Sequence, residues 1–233
     1  MEGAVVRAEA RHHESADAAE RAVRAERRAQ LAAVATKVVP VAPAHSRTIP
    51  VEGSLASLIP TGGLRRGSTV VVDGPAALAL SMPLLAAATA AGEWVAVVEL
   101  DGFPSDFGAL AAAEAGVALD RCAVVRCVPR DRWAVVVNAL LEGMAMVSAP
   151  IPRHLRAGDA HRLVTRARER RSVLLARGDG WPAGANLRMH ARTSRWQGLE
   201  RGEGLLRQRE ILVEVDGQGS TRRSWVDVHA LAS

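Results

Sequence analysis

The sequence predicts an α/β domain: a mostly parallel sheet flanked by helices, with a helical N-terminal arm and a C-terminal antiparallel hairpin. Three observations predict it. Short, nearly continuous apolar runs alternate with longer helix-like stretches, as strands buried on both faces require. The helical stretches end at glycine (Gly92, Gly116, Gly143). The tail then switches to apolar/polar alternation, the mark of strands with one wet face.

Residues 1–16 are polar and are expected to be disordered. Asp17 to Lys37 reads as a helix, with Asp17 as cap and Glu20 completing a capping box. Its first half is charged and its second apolar, which suits a docking arm or a solvated helix packed by one end. Residues 38–50 hold Pro40, Pro43 and Pro50 and read as a linker. A compact domain is expected over residues 51–233.

Within it, strand Ser68–Asp73 leads to helix Ala79–Ala91, and strand Trp94–Leu100 to helix Ser105–Ala115. Strand Ala123–Cys127 leads to helix Arg130–Glu142, and strand Met144–Ser148 to helix Ala157–Arg171. Strand Ser172–Ala176 follows. Pro83 falls early in its helix, where a missing N–H costs little. Leu187–Arg195 and Arg209–Val215 alternate, and Gly217-Gln218-Gly219 turns into Ser224–Val228, a hairpin on the sheet edge.

Composition supports a globular chain. Of 233 residues 48% are hydrophobic but only 3% aromatic, with no tyrosine, so Ala, Val and Leu must fill the core. The net charge of +5 permits a nucleic-acid or acidic partner without requiring either. Cys122 and Cys127 flank one short strand, and no further ligand completes a disulfide or metal set. The start of the chain has no apolar signal segment. Ala76–Ala91 is too short and too interrupted, by Ser81 and Pro83, to span a bilayer. A cytoplasmic location and no membrane partner are expected.

The stretch Gly67 to Met82 carries the sharpest functional signal. It is a strand, a tight turn at Gly74-Pro75 and a helix start, the frame of a phosphate-binding loop. Such a loop needs G-x-x-x-x-G-K-[ST]. Gly74 supplies the first glycine and Ser81 the hydroxyl, but Ala79 replaces the second glycine and Leu80 the lysine. The chain's one lysine, Lys37, lies upstream of every strand. The alternative is an ordinary strand-turn-helix. On either reading ATP and magnesium are not expected as cofactors, and ATPase activity is not expected.

Several segments in order resemble the RecA recombinase core. Leu64-Arg65-Arg66-Gly67 resembles that family's approach to its P-loop strand, and Gly74-Pro75 the start of its phosphate loop. Gly116-Val117-Ala118-Leu119-Asp120 resembles its Gly-Val-Asp segment. Gly158-Asp159-Ala160-His161 resembles its Gly-Asp-Ser-His helix start, and Ala183-Gly184-Ala185-Asn186-Leu187-Arg188 its Gly-Gly-Asn-Ala-Leu-Lys segment. The resemblance covers roughly residues 55–230 and implies a RecA-like core. It also marks departures. Ser148 stands where the Walker B aspartate would end its strand, and both DNA-binding loops are short. Glu99 and Asp101 match an acidic pair that here has nothing to activate and is expected to cap a loop.

A small RecA-like protein with an eroded nucleotide site is similar to the ImuA family, and to its actinobacterial ImuA-prime form. That resemblance implies a non-catalytic accessory of SOS-inducible, error-prone translesion synthesis, associated with the nucleoid during DNA damage. It implies an ImuB-type inactive Y-family polymerase as direct partner, an error-prone C-family polymerase and the sliding clamp as indirect partners, and DNA as a further candidate. A RecA-type ATP-dependent single-strand binder and a SulA-like division inhibitor are the alternatives.

For nucleic acid or a partner, the candidate contacts are Arg153, Arg156, Arg162, Arg166, Arg170 and Trp181. Arg162, Arg166 and Arg170 share one helical stripe that could meet phosphates, though a charge run is more often a solvated face. Trp181 could stack on a base or plug the local core. Trp94 and Trp133 read as core, and Trp196 and Trp225 as packing.

Overall fold

The structure is a computed structural model that describes residues 47–102, 107–198, 208–217 and 219–228. The expectations for residues 1–46 lie outside the described residues, including the arm at 17–37 and most of the linker.

The described chain begins with a small antiparallel pair. β1 (Thr48–Pro50) pairs with β2 (Gly63–Arg65) around a short helix, α1 (Gly53–Leu58). This corrects the expected linker boundary: residues 48–50 belong to the folded domain, and Ile49 is fully buried. Pro50 is no obstacle at a strand end, where a missing donor is tolerated.

The core then follows as β3 (Thr69–Asp73), α2 (Ala77–Ala90), β4 (Val95–Leu100), α3 (Ala109–Glu114), β5 (Cys122–Val128), α4 (Trp133–Leu140), β6 (Met146–Pro150), α5 (Ala157–Arg170) and β7 (Val173–Arg177). Three long strands close the chain: β8 (Leu187–Gln197), β9 (Gln208–Gly217) and β10 (Ser220–Asp227). All eight strands from β3 onward form one sheet in the order β10-β9-β8-β3-β7-β6-β4-β5. The pairs from β8 through β5 are parallel, and β8-β9 and β9-β10 are antiparallel. The sheet is therefore mixed and mostly parallel, with the expected C-terminal hairpin at one edge.

The apolar runs are continuous because both faces are covered. Val70 and Val72 enter one core cluster with Leu80, Leu84 and Leu85 of α2 and Ala112 of α3. Val71, between them, enters the other with Trp133 and Val137 of α4 and Leu163 of α5. Successive side chains on a strand point to opposite faces, so this split is what a doubly covered sheet demands. In the hairpin region one face alone is dry. Met189, Ala191, Ile211, Val213 and Val215 are buried, while Arg192 and Arg195 on the wet face form ion pairs with Glu214 and Glu210 across β9.

Helix ends fall close to expectation. Gly92 and Gly116 both take positive φ just past their helices, as the C-terminal turn of a helix favours. α5 instead ends on Arg171 in the left-handed region, with φ 57°. Asn186 anchors the start of β8 by accepting the backbone N–H of Thr69 at 2.9 Å. No helix among the described residues is long and apolar enough to cross a membrane.

Candidate functional site

Two places beyond the carboxyl ends of the parallel strands have the position of a ligand site in an open α/β sheet. The first is the β3–α2 turn, where a phosphate loop would lie.

Gly74 leaves β3 with φ +90°, and a Cβ added there would stand 2.3 Å from the backbone oxygen of Ala191 on β8. Only glycine fits that approach. Just before it, the Asp73 carboxylate pairs with Nδ1 of His190, its register partner on β8. The turn is thus clamped to the neighbouring strand. On its helix side Leu80 is fully buried in the core. Ser81 is also fully buried, and its hydroxyl donates to the Ala77 carbonyl at 2.8 Å, within the helix. The position that would carry a phosphate-binding lysine holds a core leucine, and the hydroxyl faces its own backbone. Pro83 sits inside α2 as its seventh residue, past the first turn that tolerates a missing N–H.

Ser148 lies in the middle of β6 rather than at its end, because Ala149 and Pro150 continue the ladder with Ala176 and Arg177. Its hydroxyl is buried without a hydrogen-bond partner. Glu99, buried at the end of β4, accepts the Phe107 N–H at 3.2 Å and pairs with Arg126 at 3.4 Å. It ties a loop, as expected. A bulge in β5 brings Arg126 there: Val98 pairs with Val125, but Leu100 with Val128.

The second place lies beyond β5 and β6. The segment after β5 (Pro129 to Arg132) and the segment after β6 (Ile151 to Arg156) enclose a pocket of about 330 Å³. Arg130 and Trp133 come from one side, and Arg153, His154 and Arg156 from the other. Arg153 and Arg156 are exposed, and among the described residues neither takes part in an ion pair. His154 is held in the left-handed region at φ +66°, a conformation that costs a non-glycine residue on the order of 1–2 kcal/mol. Trp133 is fully buried, yet its indole N–H has no acceptor among the described residues.

The six candidate contacts therefore separate. Arg153 and Arg156 meet at this pocket. Arg162 pairs with Asp159 on its own helix. Arg166 reaches Asn138 and Glu142 of the α4 region, and Arg170 reaches Glu142 as well. That stripe ties two helices together rather than standing free. Trp181 is buried and directs its indole N–H at the Gly184 carbonyl, 3.4 Å away. Of its two expected roles it takes the core one. Arg130 is the residue sequence reasoning missed; its chain distance from Arg153 hides their meeting.

Trp133 is core, as expected, and Trp94 is half-buried. Trp196 is 45% exposed under the guanidinium of Arg209, and Arg195 covers Trp225. Burial pushes the Arg209 guanidinium and the Cys122 thiol in opposite directions, the first down and the second up, because it disfavours the charged form of each.

These features define an α/β domain with a filled β3–α2 turn and a separate basic pocket at the same sheet edge. The chain belongs to the MT3502 N-terminal domain family, whose model matches residues 57–183. It is also similar to Rv3395c, an uncharacterized protein of Mycobacterium tuberculosis strain H37Rv. The two are 34% identical over 170 residues, 70% of this chain and 79% of that relative. The family match spans β2 to β7 and both places described above, and stops before the antiparallel strands.

Proposed function

We propose that the protein is a non-catalytic accessory of error-prone translesion DNA synthesis, an ImuA-type member of the RecA superfamily. The observation that carries the non-catalytic half is the filled β3–α2 turn. With Leu80 in the core, Ser81 bonded to Ala77 and Gly74 pressed against Ala191, no amide cradle or ammonium is offered to a triphosphate. The RecA-like half is supported by the placement of the resembling segments. Gly74 follows an interior parallel strand, and Asn186 opens the strand beside it. The mycobacterial relative accords with the actinobacterial ImuA-prime form.

On this reading the protein binds an ImuB-type inactive Y-family polymerase and, through it, an error-prone C-family polymerase and the sliding clamp. DNA is a further ligand. The test is co-purification with the ImuB-type protein encoded by the same genome, beside an ATP-binding control. A stable complex formed without nucleotide supports the adaptor. Absence of a complex, together with magnesium-dependent micromolar ATP binding, sinks it in favour of a RecA-type ATPase.

A second reading, a stand-alone single-strand binder, is favoured by the two arginines without ion pairs at the β6–α5 loop. Salt-sensitive oligonucleotide binding without any ImuB complex would select it.

A further inference from the structure

We propose that the pocket between the β5–α4 and β6–α5 segments is a binding site for a phosphomonoester or pyrophosphate group, free or at the end of a nucleic-acid strand. The inference rests on the pocket alone and stands apart from the translesion reading.

Charge comes first. Arg130, Arg153 and Arg156 line the same pocket of about 330 Å³. Two acids also line it, and each is engaged by another arginine: Asp159 by Arg162 and Asp131 by Arg132. Some arginines elsewhere are neutralised in place: Arg166 and Arg170 share Glu142, Arg192 holds Glu214 and Arg195 holds Glu210. Arg153 and Arg156 have no such acid among the described residues. Guanidinium groups gathered at a concavity suit an oxyanion, which accepts their paired N–H groups.

Backbone geometry adds a second element. α4 and α5 both begin at this pocket, and neither start is capped by a side chain. The first-turn N–H groups of a helix seek acceptors and favour negative charge. Two such starts facing one basic pocket reinforce each other.

The inner wall provides a third. Trp133 is fully buried and lines the pocket, and its indole N–H has no acceptor among the described residues. A buried orphan donor is costly unless a ligand or water meets it. The left-handed His154 fixes the path of the loop that carries both free arginines, and such strain gathers at ligand sites.

Shape decides between kinds of anion. A running phosphodiester backbone lies along a groove, whereas this is a bounded pocket walled by two loops. It is larger than a carboxylate needs and suits one or two phosphoryl groups. The donor set also exceeds what a carboxylate's two oxygens can accept.

The experiment is calorimetric titration of the full chain with three probes: inorganic pyrophosphate, a 5′-phosphorylated single strand, and the same strand with a 5′-hydroxyl. The Arg153→Ala/Arg156→Ala double variant removes two exposed side chains and should keep the parent melting temperature. It is expected to bind pyrophosphate at least about tenfold more weakly, the loss of charge-assisted hydrogen bonds. Arg192→Ala, which removes one positive charge on the hairpin, should change binding less than about twofold. Arg153→Lys/Arg156→Lys should recover part of the loss. If the 5′-phosphorylated strand binds more tightly than pyrophosphate, the site takes strand ends; if pyrophosphate binds more tightly, it takes the free group. Two results would overturn the proposal: no binding of pyrophosphate or of the 5′-phosphorylated strand at millimolar concentration, or an equal loss in Arg192→Ala.

Discussion

The β3–α2 turn and the β5/β6 pocket lie at the same edge of one sheet, beyond the carboxyl ends of parallel strands, and each leads into a helix. The turn has been filled from within. Leu80 is packed into the core, the Ser81 hydroxyl is folded back on its helix, and a backbone oxygen occupies the space above Gly74. The pocket is open, and among the described residues Arg153 and Arg156 enter no ion pair and the Trp133 indole N–H has no acceptor. Fold position offers an opportunity to bind, and side-chain volume and charge decide whether it is kept.

Substitutions at the turn test the contrast most severely. Leu80→Lys, alone or with Ala79→Gly, should lower unfolding stability by about 4 kcal/mol, since it empties a core position and buries an ammonium. Urea denaturation measures the loss. A variant of parental stability that gains ATP affinity would erase the difference between the two places. Gly74→Ala should cost about 3 kcal/mol, because its Cβ meets the Ala191 oxygen and its φ is positive. An unchanged denaturation midpoint would mean the turn is not clamped.

Changes at the pocket should be gentler. His154→Gly relieves a left-handed side chain and should raise stability by less than about 1 kcal/mol, with the flexibility of glycine offsetting part of the gain. A clear loss would show that His154 has packing duties that the contrast ignores. Arg166→Ala, on the helix tie, should cost at most about 1 kcal/mol, as half-exposed ion pairs do; an effect several times larger would make the stripe a core element.

The hairpin offers a pH test. Hydrogen bonds from Arg195 and Arg192 hold the carboxyls of Glu210 and Glu214 below the usual carboxylate range. Stability from a depressed carboxyl is complete above its unfolded pKa and disappears as pH falls through the folded one. Hydrogen-exchange protection in β9, taken relative to the intrinsic rate at each pH, should therefore be unchanged down to roughly pH 5 and fall below roughly pH 4, before protection in β3 and β7 responds. Uniform loss of protection across the sheet would contradict that.

The parallel core was legible because burial on both faces writes itself as unbroken apolar runs between glycine stops. The hairpin was legible from alternation. β1, α1 and β2 were not, since three-residue strands carry no period and Pro50 read as linker. Ser148 was placed at a strand end because the resemblance matches it to the Walker B aspartate, yet β6 runs on through Ala149 to Pro150, since proline is tolerated at a terminal ladder position. At the turn the missing lysine was plain from the residues, but the Ala191 oxygen over Gly74 was not. The arginine stripe looked free because its acid, Glu142, belongs to the segment after another helix. The pocket escaped notice because Arg130 and Arg153 converge only through the sheet order.

The contact between Gly74 and Ala191 also has a historical consequence. A lysine at position 80 would have to leave the core, a smaller residue would have to fill the gap, and β8 would have to retreat from the turn. Each step taken alone lowers stability, and proteins have little to spare. The turn therefore behaves as a ratchet: a descendant of this chain has no gradual route to a working phosphate loop, however strongly selection favours one.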